Sequence, residues 1–205
     1  MRRPHAVVTH NAARFLVLSA LVCAACQSVP DTRPLDDAGM AYTTVTELRK
    51  MNLTEAEVAE LVLAKQGGVS DRTCLELVRI AQSRQQKFTI GNDAARLKRA
   101  GMTEASILEL VRLNQMGDWV GEVQALRLAN IPEPLIMTLT RRRVAGQASL
   151  SSSSLARLKN AALADGTLFA LVERGITDDA VEEILNLRLQ RRMGDADILR
   201  RYPAK

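Results

Sequence analysis

From Thr44 onward the apolar positions obey a short recurring pattern: Leu, three residues, Gly or Asn, an apolar residue, Ser, Thr or Pro, then an acid. It reads Leu48…Asn52-Leu53-Thr54-Glu55, Leu97…Gly101-Met102-Thr103-Glu104, Leu126…Asn130-Ile131-Pro132-Glu133 and Leu171…Gly175-Ile176-Thr177-Asp178. A fifth copy, Gly68-Val69-Ser70-Asp71, carries Ala64 in the leucine position. Physically this is a tight turn between two helices. Gly or Asn supplies the left-handed residue that closes one helix, and the next apolar side chain packs back on its last turn. Ser or Thr then caps the following helix, and the acid in its first turn suits the helix dipole. Pro132 is tolerated at a helix start as well. Thr44-Val45-Thr46-Glu47 and Thr54-Glu55-Ala56-Glu57 have capping-box spacing besides.

After each turn, apolar residues fall six and nine positions beyond the Gly or Asn: Val58/Leu61, Cys74/Leu77, Ile107/Leu110, Ile136/Leu139 and Val181/Ile184. A spacing of three is one face of a helix. Cys74 stands where the other copies have Ile or Val, so it reads as a small core hydrophobe. A longer repeat lies above this one. Ala95-Arg96-Leu97-Lys98 returns as Ala156-Arg157-Leu158-Lys159, 61 residues on, and an offset of 62 carries Gly68, Cys74 and Leu77 onto Asn130, Ile136 and Leu139. The same offset of 61 lays Ser151 to Ser154 over Gly91 to Ala94, making the serine run a helix start in preference to a linker. The fold class that follows is all-α: an array of short helical hairpins, solenoid-like, in two pseudo-repeats of about 62 residues plus a C-terminal helix from Thr177 to about Arg192. Lys87 to Ile90, the longest alternating stretch, is a loop in this scheme. The hairpins resemble those of uncharacterised bacterial envelope proteins, a structural likeness that carries no site residues with it.

The N-terminus follows other rules. Arg2, Arg3 and Arg14 precede an eleven-residue apolar run, Phe15 to Ala25, with no acid before Cys26. As a helix the run would span ~16 Å, about half a bilayer core, which suits a signal peptide better than a membrane span. An ordinary secretory peptide cut after Ala25, or an uncleaved anchor, fits the same run. It ends in Ala24-Ala25-Cys26-Gln27, which resembles the lipobox of bacterial lipoproteins, although Cys23 stands where that family usually has Leu. The resemblance implies removal of residues 1–25, acylation of Cys26, and attachment to a membrane of the cell envelope. Gln27 in place of Asp points to the outer membrane, with the protein facing the periplasm. The implied organisation is a signal peptide over 1–25, a flexible tether over 26–43 containing Pro30 and Pro34, the helical domain over 44–192 and a tail over 193–205.

Removing the leader changes the chemistry. The chain of 205 residues carries net charge +5; without Arg2, Arg3 and Arg14, 25 basic side chains face 23 acidic ones, leaving +2. No excess of positive charge then argues for nucleic acid. His5 and His10 also leave, so no Ser-His-Asp or Cys-His nucleophile and no histidine-ligated metal can be built. No cofactor motif is present, and Cys74 remains without a disulfide partner.

Four residues stand out as candidate surface. Arg141-Arg142-Arg143 is the densest charge run, readable as a site for an anionic surface or partner, or as a solvated helix end complementing the dipole. Trp119, the single Trp, is a core anchor or a partner-binding hot spot, with Asp118 before it as a helix cap. The expectation is a non-enzymatic, membrane-anchored scaffold that binds an envelope protein. The alternative is a cell-wall-active enzyme or its regulator, using carboxylates near Glu104 or Glu182. Gly101 is expected at a left-handed helix terminus and to tolerate a β-branched residue less well than Gly117.

Overall fold

The computed structural model describes residues 30–203. Among these are twelve α-helices, one 3-10 turn at Asp178–Ala180, and no strand. We number the helices α1 (Arg33–Asp37), α2 (Tyr42–Arg49), α3 (Glu55–Gln66), α4 (Asp71–Ser83), α5 (Gly91–Arg99) and α6 (Glu104–Arg112). They continue as α7 (Asp118–Leu128), α8 (Glu133–Val144), α9 (Ser152–Asn160), α10 (Asp165–Glu173), α11 (Val181–Leu189) and α12 (Asp195–Arg201). Odd-numbered helices pack on one another in one row, even-numbered helices in a second, and the core lies between the two rows. This is a two-layer helical array, in which each hairpin buries its apolar face only against its neighbours.

The turn chemistry is as the repeat implies. Asn52, Gly68, Gly101, Asn130 and Gly175 all have φ between 51° and 87°, and Leu53, Val69, Met102 and Ile131 behind them are buried. All ten residues of the six-and-nine pattern are buried as well. Thr54, Ser70 and Thr103 accept from the backbone three residues on, and Thr54 completes a capping box with Glu57. Helices α5 and α9 match end for end at the offset of 61, with Ser151 capping α9 through the Ser154 N–H.

Four expectations need correction. Residues 33–49, assigned in part to the tether, form α1 and α2, and Leu35 and Val45 are fully buried; two prolines in a short polar stretch hid a helix that starts with Pro34 in its first turn. Thr44 sits inside α2, whose cap position is Ala41, so its capping-box spacing is coincidental. The final helix stops at Leu189, and the supposed tail over 193–205 contains α12, docked through the fully buried Ile198. Asp118 is the first helical residue of α7 and the cap is Gly117, at φ 83° and ψ −123°, a conformation almost confined to glycine. Gly117 is therefore no safer a site for a side chain than Gly101. Residues 1–25, expected to be a signal peptide, and Cys26 lie outside the described residues.

Side chains tie the rows together with a regularity the repeat only hinted at. The acid that opens each even helix turns back to the cap of the even helix before it. Asp71 accepts from the Ala41 N–H at 2.7 Å, Glu104 from Ser70 at 3.0 Å, Glu133 from Thr103 at 3.1 Å and Asp195 from Ala164 at 2.8 Å. A basic residue from the preceding odd helix pairs with most of these acids: Lys65 with Asp71, Lys98 with Glu104, Arg188 with Asp195. The series breaks at α10. Its acid, Asp165, faces a cap position filled by Pro132, which has no N–H, and it pairs with Lys159 instead. The acids thus serve the amides of the preceding even helix, where the sequence suggested only a dipole effect on their own.

Candidate functional site

The three consecutive arginines of α8 do not form a cationic patch. Successive residues on a helix point about 100° apart, and here each reaches a different neighbour. Arg141 forms a forked pair with Glu109 of α6, at 2.7 and 3.0 Å. Arg142 donates to the carbonyls of Glu173, at the end of α10, and Ala148. Arg143 swings toward α7, where its guanidinium carbon lies 4.5 Å from the ring centroid of Trp119, and it contacts Glu122 at 3.5 Å. The first two are structural ties; the third lines a cleft.

That cleft, of about 440 Å³, opens where the start of α7, the end of α8 and the start of α9 converge. Trp119 forms one wall and is 4% exposed. Its indole N–H donates to Thr140 Oγ1 at 3.0 Å, and that hydroxyl donates in turn to the Ile136 carbonyl at 2.9 Å. The ring is locked in plane, with one face left for Arg143. Leu139 and Leu150 supply apolar surface, Gln147 the outer rim. Glu122 accepts from Ser152 Oγ at 2.7 Å, so its carboxylate bridges Arg143 and the first turn of α9. Ser149 Oγ is buried at the cleft without a partner. A buried hydroxyl left unpaired is costly, and here it sits beside open space that a ligand group could fill. The surface is shallow, with Arg143 covering the indole face, and can hold a carboxylate against that guanidinium.

The structure therefore joins Trp119 and Arg143 and separates Arg141 and Arg142 from them. Sequence reasoning missed Glu122 and Ser149. Glu122 follows Trp119 by three residues and so shares its face of α7, a signal that could have been read. Ser149 lies in a loop whose path no periodicity fixes.

The carboxylates considered for chemistry have other duties. Burial alone would raise the pKa of Glu104, but hydrogen bonds from the Ser70 and Thr73 hydroxyls and the Ser70 N–H, with Lys98 beside them, outweigh it and lower it to about 2. At neutral pH it is ionised and cannot donate a proton. Glu182 pairs with Arg157 on the exposed surface. Burial pushes the Cys74 thiol up to about 12, leaving it protonated and inert. Among the described residues no cluster of His, Cys, Asp or Glu could hold a metal ion, and no helix is long and apolar enough to cross a membrane. Comparison with known proteins finds no matching family model and no characterised protein of similar sequence.

Proposed function

We propose that the protein is a non-enzymatic scaffold of the bacterial cell envelope, anchored through lipid on Cys26 at the periplasmic face of the outer membrane, and that it binds another envelope protein at the Trp119–Arg143 cleft. The cleft carries the reading. An immobilised indole beside an arginine, in a recess with apolar walls and a polar rim, has the composition of a binding hot spot. A repeat array supports it by presenting such a recess on a rigid, extended frame. The ionised state of Glu104 also favours a binder over an acid-catalysed hydrolase.

Two experiments test the two halves separately. Metabolic labelling with a fatty-acid analogue should mark the wild type and not Cys26→Ser; equal labelling of both removes the anchor. A photo-crosslinking residue at Gln147, on the cleft rim, should capture a discrete partner in cells, and Arg143→Glu should abolish the adduct. The same probe at Leu189, an exposed position far along the chain, should capture nothing at that mass. Identical adducts from both positions would remove the cleft from the proposal.

A further inference from the structure

Helix α3 carries apolar side chains on its outer face as well as on its core face. A surface helix ordinarily turns its polar side chains to water and its apolar ones to the core. In α3 the polar residues are used sideways. Glu57 accepts from the Phe88 N–H at 2.9 Å, Glu60 from the Asn92 N–H at 2.9 Å, and Lys65 binds Asp71. Leu61 and Ala64 are fully buried toward the core. Between the exposed Glu55 and Gln66, the outer face carries Ala56, Ala59, Val62 and Leu63, with Leu63 38% exposed. With Pro34 of α1 and the edge of Val58 they line an open groove of about 490 Å³, whose polar rim is Asp31 and Glu55.

The position of this groove along the chain says what covers it. Asp31 is on its rim, and Cys26 is five residues upstream. Five residues reach at most ~17 Å when extended, so a bilayer holding the acyl chains of Cys26 cannot be farther than that from the groove's edge. Of the other helices in the row, α5 presents Asn92 and Arg99 and α9 presents Ser153, Arg157 and Asn160, while α7 also turns apolar residues outward, at Ala125 and the 84% exposed Leu128, but far along the chain from Cys26.

We infer that the Pro34–Ala59–Val62–Leu63 face docks on the lipid bilayer, seating the array on the membrane by its N-terminal end and holding the Trp119 cleft away from it. The inference rests on the lipid anchor proposed above. Acylation supplies the attachment; the groove supplies the orientation, since a tether alone leaves a domain free to turn. Hydrocarbon from the bilayer surface fills the apolar recess, and the acidic rim stays at the headgroup level.

Tryptophan quenching tests it on the full-length lipidated protein, in a Trp119→Phe background, reconstituted in phosphatidylethanolamine–phosphatidylglycerol vesicles with lipids brominated near the glycerol end of the acyl chain. A Trp placed by Leu63→Trp should lose more than half of its emission. One placed by Leu189→Trp, at the far end of the odd row, should keep nearly all of its own. Circular dichroism confirms that both variants fold, and the triple variant Leu63→Trp/Val62→Asp/Ala59→Asp should escape quenching while still floating with the vesicles. No quenching at position 63, in protein that carries label at Cys26 and floats, overturns the docked face and leaves the anchor standing. Equal quenching at both positions also overturns it, because the array would then lie flat. Protein that neither labels nor floats refutes the anchor instead.

Discussion

Glu104 offers the sharpest test of how the rows are held together, and Glu104→Gln is the perturbation. The side chain accepts from the Ser70 N–H at 3.0 Å and from the Ser70 and Thr73 hydroxyls at 2.5 and 2.6 Å, with Lys98 at 3.3 Å. These lower its pKa from 4.5 to about 2 in the folded protein. At ~1.36 kcal/mol per pH unit that difference amounts to about 3 kcal/mol, and the side chain's 26% exposure reduces it to about 2 kcal/mol. Because the folded value is the lower one, this stability is complete above the unfolded pKa near 4.5 and is lost as pH falls through about 2. Urea unfolding of the wild type and Glu104→Gln should therefore differ by about 2 kcal/mol at pH 7, and the gap should narrow steadily below pH 4.5. Glu182→Gln, which removes only an exposed pair with Arg157, should cost under ~0.5 kcal/mol at any pH. A Glu104→Gln loss as small as that of Glu182→Gln, or one that does not change with pH, would refute the assignment of Glu104 as an inter-helix tie.

Three further outcomes follow from the packing. Cys74→Val should cost less than ~1.5 kcal/mol by chemical denaturation, since the site is a closed apolar slot, and the native thiol should not react with a disulfide reagent until the protein unfolds. Gly117→Val should destabilise at least as much as Gly101→Val, by about 1–3 kcal/mol each, both sitting at positive φ; a neutral Gly117→Val in thermal unfolding would contradict the loop geometry. Ile198→Ala should cost about 2–4 kcal/mol, because the C-terminal helix closes the core rather than trailing from it.

Much of this architecture was legible because the repeat encodes both turn and core in one short string. Asn52 and Gly101 announce a left-handed residue through their side chains, or lack of one, and the leucine and isoleucine positions behind them follow helical spacing. Ala162 and Gln85, also at positive φ, were invisible, since nothing in alanine or glutamine prefers that conformation and only the surrounding packing imposes it. Helices α1 and α12 were missed for a related reason. Each has a single fully buried residue, Leu35 or Ile198, too few for a periodicity to register. In the cleft, Trp119 and the arginine run could be picked out by composition. That Arg143 alone of the three meets the indole depends on the rotation of α8 against α7, a long-range fact that no local spacing carries.

The proline at position 132 has a mechanical consequence. In a linear array, stability is the sum of what each unit contributes and what each junction with its neighbour adds. Each junction along the even row carries a carboxylate–amide link except the one between α8 and α10, where Pro132 offers no hydrogen and Arg142 alone reaches across, to the Glu173 carbonyl at the opposite end of the helices. An unfolding front travelling from the C-terminus meets there a boundary that lacks this link. The last four helices should open as one cooperative block, leaving the N-terminal eight intact, and amide exchange in α10 should outpace that in α6. The boundary lies next to the Trp119 cleft, so a partner gripping α7, α8 and α9 would splint the array where the carboxylate–amide link is missing.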